Sequence, residues 1–406
     1  MLQHIRPLTG YSITSLQRLW SAACVPCYCS HIPVSTPIPG HARSLCTNAT
    51  SETHVAPSKL LAEYLRLLGT DKFIVDMAAG VRRGDRLALS RAITLCESSR
   101  PDHASQAARM LQLLTEQQKL QGMPDVPSMD SFRIAVSGPP GVGKSSLIET
   151  LGCALVEAGH KMAVLAIDPS SQHSGGAILG DKTRMPRLSA DSRAYVRPTP
   201  TRGSLGGIAR ATADSILVCE AAGYKQVLIE TVGVGQSETA VIDLVDCLLL
   251  VMPPVGGDDL QVIKKGIMEV ADIVVVNKAD GPTAIAAANA AAGIAGTLGM
   301  VRSQRQSWTP QVLACSAHDG TNMDKLVAML QNYQTCLRQS GELAALRKHQ
   351  RRRLVWIAME EAVLDRLRAD QMVQQTVNSL MPEVLAGRMA PRAAADVAAA
   401  AFKPAS

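Results

Sequence analysis

The stretch Gly138-Pro139-Pro140-Gly141-Val142-Gly143-Lys144-Ser145 decides the fold of this 406-residue chain, because it fits the pattern G-x-x-x-x-G-K-[ST]. The short apolar run 132–137 before it predicts a buried strand, and the run 146–151 after it has the period of a helix. A strand, a glycine-rich loop and a helix in this order bind phosphate through backbone N–H groups at the start of the helix. The sequence therefore predicts a nucleoside triphosphate site at residues 138–146.

Two side chains of this loop have predicted chemical roles. We expect Lys144 to contact the β- and γ-phosphates and to act in catalysis. The hydroxyl of Ser145 is expected to bind Mg²⁺, and Ser146 extends the nucleotide-binding set by one residue. The alternative for the motif alone is a glycine-rich turn without a ligand, which the flanking strand and helix disfavour.

Composition favours an α/β protein. Apolar residues make up 47% of the chain but aromatic residues only 3%, which suits an aliphatic parallel sheet covered by helices. The net charge of +6 includes three arginines from residues 1–51, a stretch that contains no acidic residue. The remaining charge is too small to indicate nucleic-acid binding. No apolar run reaches the roughly 18 residues of a membrane span.

The first 50 residues are predicted to be an organellar transit peptide, since they contain arginine, serine and threonine but no acid. A disordered tail of the same composition is the alternative. Four of the ten cysteines lie in this leader, where a metal site built on Cys24, Cys27 and Cys29 is the weaker interpretation. The other six are isolated in sequence and are expected to be reduced thiols.

The rest of the chain divides into three predicted regions. Residues 51–128 have helical periodicity, residues 129–336 alternate strand-like and helical runs, and residues 337–406 are helical again. We predict a doubly wound, mainly parallel sheet with helical arms on both sides. The basic run 347–353 predicts a solvated helix face more readily than a docking site. The strands expected in the sheet are Ile134–Ser137, Val164–Ile167, Val227–Glu230, Leu248–Met252, Ile273–Asn277 and Val312–Cys315.

The segment Asn277-Lys278-Ala279-Asp280 follows a predicted strand and fits N-K-x-D. A carboxylate at Asp280 can accept hydrogen bonds from guanine N1–H and the 2-amino group together, a donor pair that adenine lacks. A site built for those donors disfavours the base without them, because the carboxylate would stay unpaired. Residues Ser316, Ala317 and His318, after the next strand, are expected to support the base. The predicted nucleotide is therefore GTP.

Three acidic residues at or near strand ends are candidate Mg²⁺ ligands beside Ser145: Asp168, Asp181 and Glu230. Mg²⁺ binds few carboxylates and keeps several waters, so these acids can lie in its first or second shell. Helix capping is the alternative role for a single acid of this kind. Glu230 also begins Glu230-Thr231-Val232-Gly233, where most GTPases have D-x-x-G, and we assign it a catalytic role. No residue that positions the hydrolytic water is evident.

The loop 253–261 combines prolines, glycines and acids and is followed by Lys264 and Lys265. It predicts either a mobile switch beside the nucleotide or an ordinary strand–helix connection.

Together these motifs resemble the MeaB/MMAA-type GTPases. The similarity covers the glycine loop, 168–185, 230–238, 256–261 and 277–280 in the same order. Ala177 and Val262 depart from the usual pattern of that family. The resemblance implies a P-loop GTPase fold of the SIMIBI type and places Asp258 and Lys264 in a third switch. We hypothesise that Lys264 stabilises transition-state charge once a partner is bound.

The resemblance also implies a biological role. Such GTPases act as chaperones of methylmalonyl-CoA mutase in the mitochondrial matrix. They gate the delivery of adenosylcobalamin from cob(I)alamin adenosyltransferase and handle that cofactor through their partners without binding it tightly. They form homodimers through C-terminal helices.

There are three alternatives, of which the first belongs to the same group of GTPases and the other two to different classes. A nickel- or cobalt-insertion GTPase would need cysteine or histidine clusters, and residues 51–406 contain only isolated cysteines. A small-molecule kinase would have no use for a guanine-reading motif. A non-catalytic interaction protein would not need to retain Lys144, Ser145 and Asp280.

Overall fold

A parallel sheet forms the centre of the chain. The computed structural model describes residues 71–98, 100–120, 130–168, 185–200, 205–231, 241–254, 265–299 and 303–402. The strands are β1 Phe132–Ser137, β2 Met162–Asp168, β3 Ala194–Pro200, β4 Gln226–Glu230, β5 Cys247–Met252, β6 Ile273–Val276 and β7 Gln311–Ala314. They lie in the order β3-β2-β4-β1-β5-β6-β7, and each described pairing is parallel.

The strands are apolar on both faces because helices cover both faces. In β5 every residue is buried, and successive side chains point to opposite sides of the sheet. Leu248 and Leu250 pack into one core, whereas Leu249 and Val251 pack into the other. This alternation explains why the strand is a continuous apolar run in the sequence.

Helices precede, interleave with and follow the strands. The first core includes side chains of α1, α2, α3, α6 and α8, and the second includes those of α4, α5 and α9. The described helices are α1 Lys72–Arg82, α2 Arg86–Cys96, α3 Pro101–Leu120, α4 Lys144–Glu157, α5 Pro186–Ala190, α6 Leu205–Ala221, α7 Lys265–Val270, α8 Ala284–Leu298, α9 Met323–Gln339, α10 Glu342–Ala369, α11 Gln371–Leu385 and α12 Pro391–Ala400.

The structure confirms the predicted doubly wound sheet between two helical regions, and the six predicted strands exist within two residues of their expected bounds. It adds β3, which the sequence analysis missed. This strand contains Pro198 and Pro200, and proline removes a donor from the ladder. Because β3 lies at the edge and pairs only with β2 in the described sheet, the prolines are tolerated.

The edge strand β3 is joined to the N-terminal helix α2 by side-chain contacts. Arg86 donates through Nη2 to the carbonyl of Ala194 at 2.9 Å. From the strand, Arg197 forms a 2.5 Å ion pair with Glu97, just beyond α2, and donates to Ser90 Oγ at 3.2 Å. These contacts hold α2 against β3 on the face of the sheet that carries the first core, to which both elements contribute side chains.

At the opposite end of the strands from the glycine loop lies a buried group that we call the amino-end ion cluster: Ser131, Arg133, Glu220, Asp246 and Arg347. Arg347 forms two 2.5 Å hydrogen bonds to the carboxylate of Asp246, and Arg133 binds both oxygens of Glu220 at 2.7 and 2.8 Å. Burial opposes the charge of Glu220, but Arg133 and Arg347 outweigh it and hold its pKa below the usual range. The cluster joins α10 to the starts of β1 and β5.

This cluster corrects one expectation. The run 347–353 is not a wholly solvated helix face, because Arg347 is only 3% exposed and Gln350 donates to the carbonyl of Val245 from a buried position. The other residues of the run are exposed, as predicted. A run of like charges contains no signal that separates its buried arginine from the exposed ones.

The C-terminal helices present apolar side chains to solvent. Trp356 of α10 is 60% exposed and Leu385 of α11 is 81% exposed. Other exposed apolar residues of α10–α12 are Val355, Met359, Val363, Leu364, Met372, Met381 and Val397. In the described part of the chain, no helix is both long and apolar enough to cross a membrane.

Candidate nucleotide-binding site

The glycine loop connects β1 to α4 and passes close to neighbouring backbone and side chains. Gly138 and Gly143 have φ angles of 150° and 94°, in the region that favours glycine. A Cβ on Gly138 would lie 2.2 Å from the carbonyl oxygen of Val251, and one on Gly143 would lie 2.6 Å from Asn277 Nδ2. These two positions therefore require glycine for both conformation and space.

Lys144 begins α4 and is 8% exposed. Its ammonium donates to the carbonyls of Gly138 and Pro139 at 2.8 and 3.2 Å, so the side chain folds back over the loop. This brings a positive charge to the place where the loop would surround phosphate oxygens. In the same first turn of α4, Ser146 is exposed.

The hydroxyl of Ser145 donates to Glu230 Oε1 at 2.6 Å. Sheet order explains the pairing, because Val136 at the end of β1 lies directly beside Glu230 at the end of β4. The contact joins two oxygen atoms of the kind that Mg²⁺ prefers as ligands, and both lie beside the glycine loop. Two of the four predicted metal ligands are therefore adjacent and chemically suited to the ion.

Asn277 connects the glycine loop with the loop after β7. Its Nδ2 donates to the carbonyl of Val142 at 2.9 Å, and its Oδ1 accepts from the backbone N–H of Ala317 at 3.1 Å. The side chain is 2% exposed. Both ends of the amide are thus used, which makes Asn277 a fixed spacer between the two loops.

Asp280 and Ser316 meet beside this spacer. The hydroxyl of Ser316 donates to Asp280 Oδ1 at 2.8 Å and accepts from the backbone N–H groups of His318 and Asp319 at 3.2 and 3.3 Å. A hydroxyl offers one donor and two acceptor positions, so that of Ser316 is fully used. The carboxylate of Asp280 is consequently oriented by a buried serine.

Lys278 has a left-handed backbone, with φ of 63°, and its exposed side chain donates to the carbonyl of Gly141 at 3.1 Å. A non-glycine residue adopts this conformation at a cost, so the surrounding structure holds it there. Lys278 thus adds a second contact from the 277–280 segment to the glycine loop.

The structure therefore brings together the glycine loop, Glu230, the 277–280 segment and the 316–318 loop at the carboxyl end of the sheet. Asp181 and Lys264 lie outside the described residues, as does the side chain of Asp168 at the end of β2. Among the described residues, no group of three or more His, Cys, Asp or Glu side chains could hold a metal ion. Sequence reasoning missed Thr150 of α4, whose hydroxyl donates to the carbonyl of Ala317 at 2.7 Å.

With this geometry established, comparison with known proteins identifies the family. The family described as methylmalonyl Co-A mutase-associated GTPase MeaB matches residues 89–372. The chain belongs to the MeaB family of GTPases. This MeaB-family chain is 40% identical over 364 residues to the mouse protein named methylmalonic aciduria type A homolog, mitochondrial, covering 90% of this chain and 86% of that one. It is also 39% identical to GTPase ArgK of Escherichia coli over 77% of this chain and 91% of that protein.

A solved structure supports the same assignment. The crystal structure titled LAO/AO transport system kinase superposes on this MeaB-family chain with a TM-score of 0.60 and 31% identity, covering 82% of this chain and 98% of that one. The predicted P-loop GTPase fold and the GTP-hydrolysing activity are thereby confirmed.

Proposed function

We propose that this GTPase is a chaperone of methylmalonyl-CoA mutase that gates adenosylcobalamin loading and protects or reactivates the mutase. The observation that carries the proposal is the extent of the similarity. The alignment with the mouse relative spans 364 residues, which is longer than the predicted nucleotide domain 129–336. The similarity therefore extends into the helical regions. The family description itself names an association with the mutase.

Within this proposal Lys144 contacts the phosphates, while Asn277, Asp280 and the 316–318 loop hold the guanine base. The oxygen atoms of Ser145 and Glu230, 2.6 Å apart, suit Mg²⁺, with Asp168 and Asp181 as further candidates from the sequence. Bound Mg²⁺ would neutralise charge on the phosphates. Glu230 and Ser145 would be held in place by their neighbouring strands and helix.

The proposed cycle is that of a switch. GTP holds loops near the site in one arrangement, and hydrolysis releases them. Lys264, which lies outside the described residues, is our sequence-based candidate for stabilising the transition state when the mutase is bound. Hydrolysis by the free protein would accordingly be slow.

The exposed apolar side chains of α10–α12 support a homodimer formed through the C-terminal helices, since large exposed apolar patches commonly mark interfaces. Cob(I)alamin adenosyltransferase is the proposed second partner, and adenosylcobalamin would pass between partners without tight binding here. The mouse relative's name includes the word mitochondrial, and together with the acid-free leader this supports a location in the mitochondrial matrix.

The test is GTP hydrolysis by the purified protein, alone and with methylmalonyl-CoA mutase, with ATP as the nucleotide control. We expect the mutase to stimulate GTP turnover strongly, and the Lys264→Ala variant to bind GTP but lose the stimulation. A matched surface control is Lys325→Ala, on an exposed position of α9.

A rate of GTP hydrolysis that the mutase does not change would refute the chaperone proposal but not the GTPase activity. Full stimulation of Lys264→Ala would refute only the role of that lysine. Analytical ultracentrifugation of wild type and Trp356→Glu tests the dimer, which the variant should dissociate.

A further inference from the structure

Thr150 differs from five other helical threonines among the described residues. Threonine in a helix commonly donates its hydroxyl to the carbonyl four residues earlier. Five threonines do so at 2.7–3.1 Å: Thr94, Thr115, Thr297, Thr335 and Thr376. Thr150 of α4 instead donates at 2.7 Å to the carbonyl of Ala317, which lies 167 residues away in the sequence.

The recipient peptide bond is part of the loop that orients Asp280. The carbonyl of Ala317 accepts from Thr150, and the N–H on the other side of the same peptide, that of His318, donates to Ser316 Oγ. Ser316 then donates to Asp280 Oδ1 at 2.8 Å. A continuous hydrogen-bonded path therefore runs from the phosphate-binding helix to the carboxylate predicted to read guanine.

We propose that Thr150 is a positioning residue for guanine selection, which fixes the 317–318 peptide and through it the Ser316–Asp280 pair. The inference rests on the proposed assignment of Asp280 as the guanine reader. Asn277 already joins the two loops through the N–H of Ala317. Thr150 adds the carbonyl of the same residue, so Ala317 is held at both of its backbone polar groups.

The path also explains why a hydroxyl is used here. Successive hydrogen bonds in a chain polarise and strengthen one another where water is excluded, and Ser316 in this chain is fully buried. Without the Thr150 hydroxyl, the Ala317 carbonyl loses its partner and the 317–318 peptide is free to rotate. Rotation would remove a donor from Ser316 and loosen the carboxylate that it orients. Phosphate contacts, made at the other end of the nucleotide, would stay unchanged.

The test compares the dissociation constants of GDP and IDP, since inosine lacks only the 2-amino group. In Thr150→Val the preference for GDP over IDP should fall by roughly three- to tenfold, the effect of one ordinary hydrogen bond, because GDP loses more affinity than IDP, which keeps only the N1–H donor. Thr150→Ser should retain the wild-type preference. Thr335→Val, which removes a hydroxyl bonded within its own helix, is the matched control. In GTP hydrolysis, Thr150→Val should raise KM and leave kcat unchanged.

An unchanged GDP preference in Thr150→Val, or an equal loss of GDP and IDP affinity, would overturn the inference. Thr150→Ala provides the same comparison if the valine variant does not fold. The Asp280→Ala variant separates the two proposals: if it keeps the wild-type preference, the assignment of Asp280 fails and the role of Thr150 fails with it. If it loses the preference while Thr150→Val keeps it, only the role of Thr150 is refuted.

Discussion

The two ends of the sheet hold polar clusters of opposite kinds. At the amino end, two arginines and two carboxylates satisfy one another in the interior, and Arg347 is 3% exposed. At the carboxyl end, Lys144, Ser145 and Asp280 are bonded mainly to nearby carbonyls and to single side-chain oxygens. The bonds at the carboxyl end are of a kind that phosphate, metal or base could replace. Those at the amino end would be costly to break.

This difference shows how to separate stability from function in a protein with many buried charges. A buried ion pair contributes little over an apolar replacement, but loss of one partner leaves an unpaired charge. The amino end is therefore sensitive to single substitutions without being a binding site. Substitutions at the two ends should give separable effects on unfolding and on nucleotide handling.

The largest expected effect is on stability at the amino end. Arg347→Met leaves Asp246 buried without its guanidinium and should lower the free energy of unfolding by about 3–5 kcal/mol. The measurement is urea unfolding, with Arg352→Met, exposed on the same helix, as the control. Adding Asp246→Asn should recover part of the loss. A change within about 0.5 kcal/mol, the usual size of a surface substitution effect, would contradict the comparison.

At the carboxyl end, Lys144→Ala should slow GTP hydrolysis by about a hundredfold or more, since it removes a preorganised charge from the transferring phosphate. Unfolding in the absence of nucleotide should change less than in Arg347→Met, because the ammonium of Lys144 donates to neutral loop carbonyls, whereas Arg347 pairs with the buried carboxylate of Asp246. Steady-state hydrolysis and thermal unfolding measure the two effects. A large loss of stability with normal turnover would reverse the roles of the two ends.

A smaller effect concerns two carboxylates of the same helix, α6. Glu220 has two arginine partners, whereas burial raises the pKa of Asp214 to about 7 despite the charge of Arg210, which also pairs with Glu361 of α10 at 2.8 Å. A carboxyl group whose pKa is raised on folding favours the folded state at low pH. This contribution is complete below the pKa of the group in the unfolded chain, near 4. That contribution is lost as the pH rises through about 7.

We therefore expect Asp214→Asn to flatten the pH dependence of stability between pH 4 and 7. At pH 8 the free energy of unfolding of the variant should exceed that of wild type by roughly 1–3 kcal/mol. Urea unfolding across this pH range measures it, with Asp365→Asn at an exposed position of α10 as the control. Parallel curves for Asp214→Asn and wild type would show that Asp214 is ionised throughout.

The sequence was most informative where a motif fixes both chemistry and backbone. The glycine loop, Glu230 and Asn277 were found because residue types at set spacings imply a strand end and a ligand. The edge strand β3 was missed because its prolines argue against a strand unless its edge position is known. Edge position depends on sheet order, which local patterns do not contain.

Pairings between distant segments were the other limit. Arg347 and its neighbours in the basic run look alike in sequence, and only the fold brings Asp246 against one of them. Thr150 is likewise an ordinary helical threonine until Ala317 is placed beside it. Such contacts join residues more than a hundred positions apart, so no local period or spacing predicts them.

The contacts of α2 with β3 and with the first core bear on where the chain can be shortened. Apolar core surface that loses its covering helix is exposed to other chains and favours aggregation. Removing residues 86–97 would leave Arg197 without Glu97, Ser90 and Thr94, and would uncover the part of the first core that α2 fills. A fragment cut at the predicted start of the nucleotide domain would thus contain every motif of the site and still be prone to aggregate. The smallest unit suitable for isolated study therefore begins before α2.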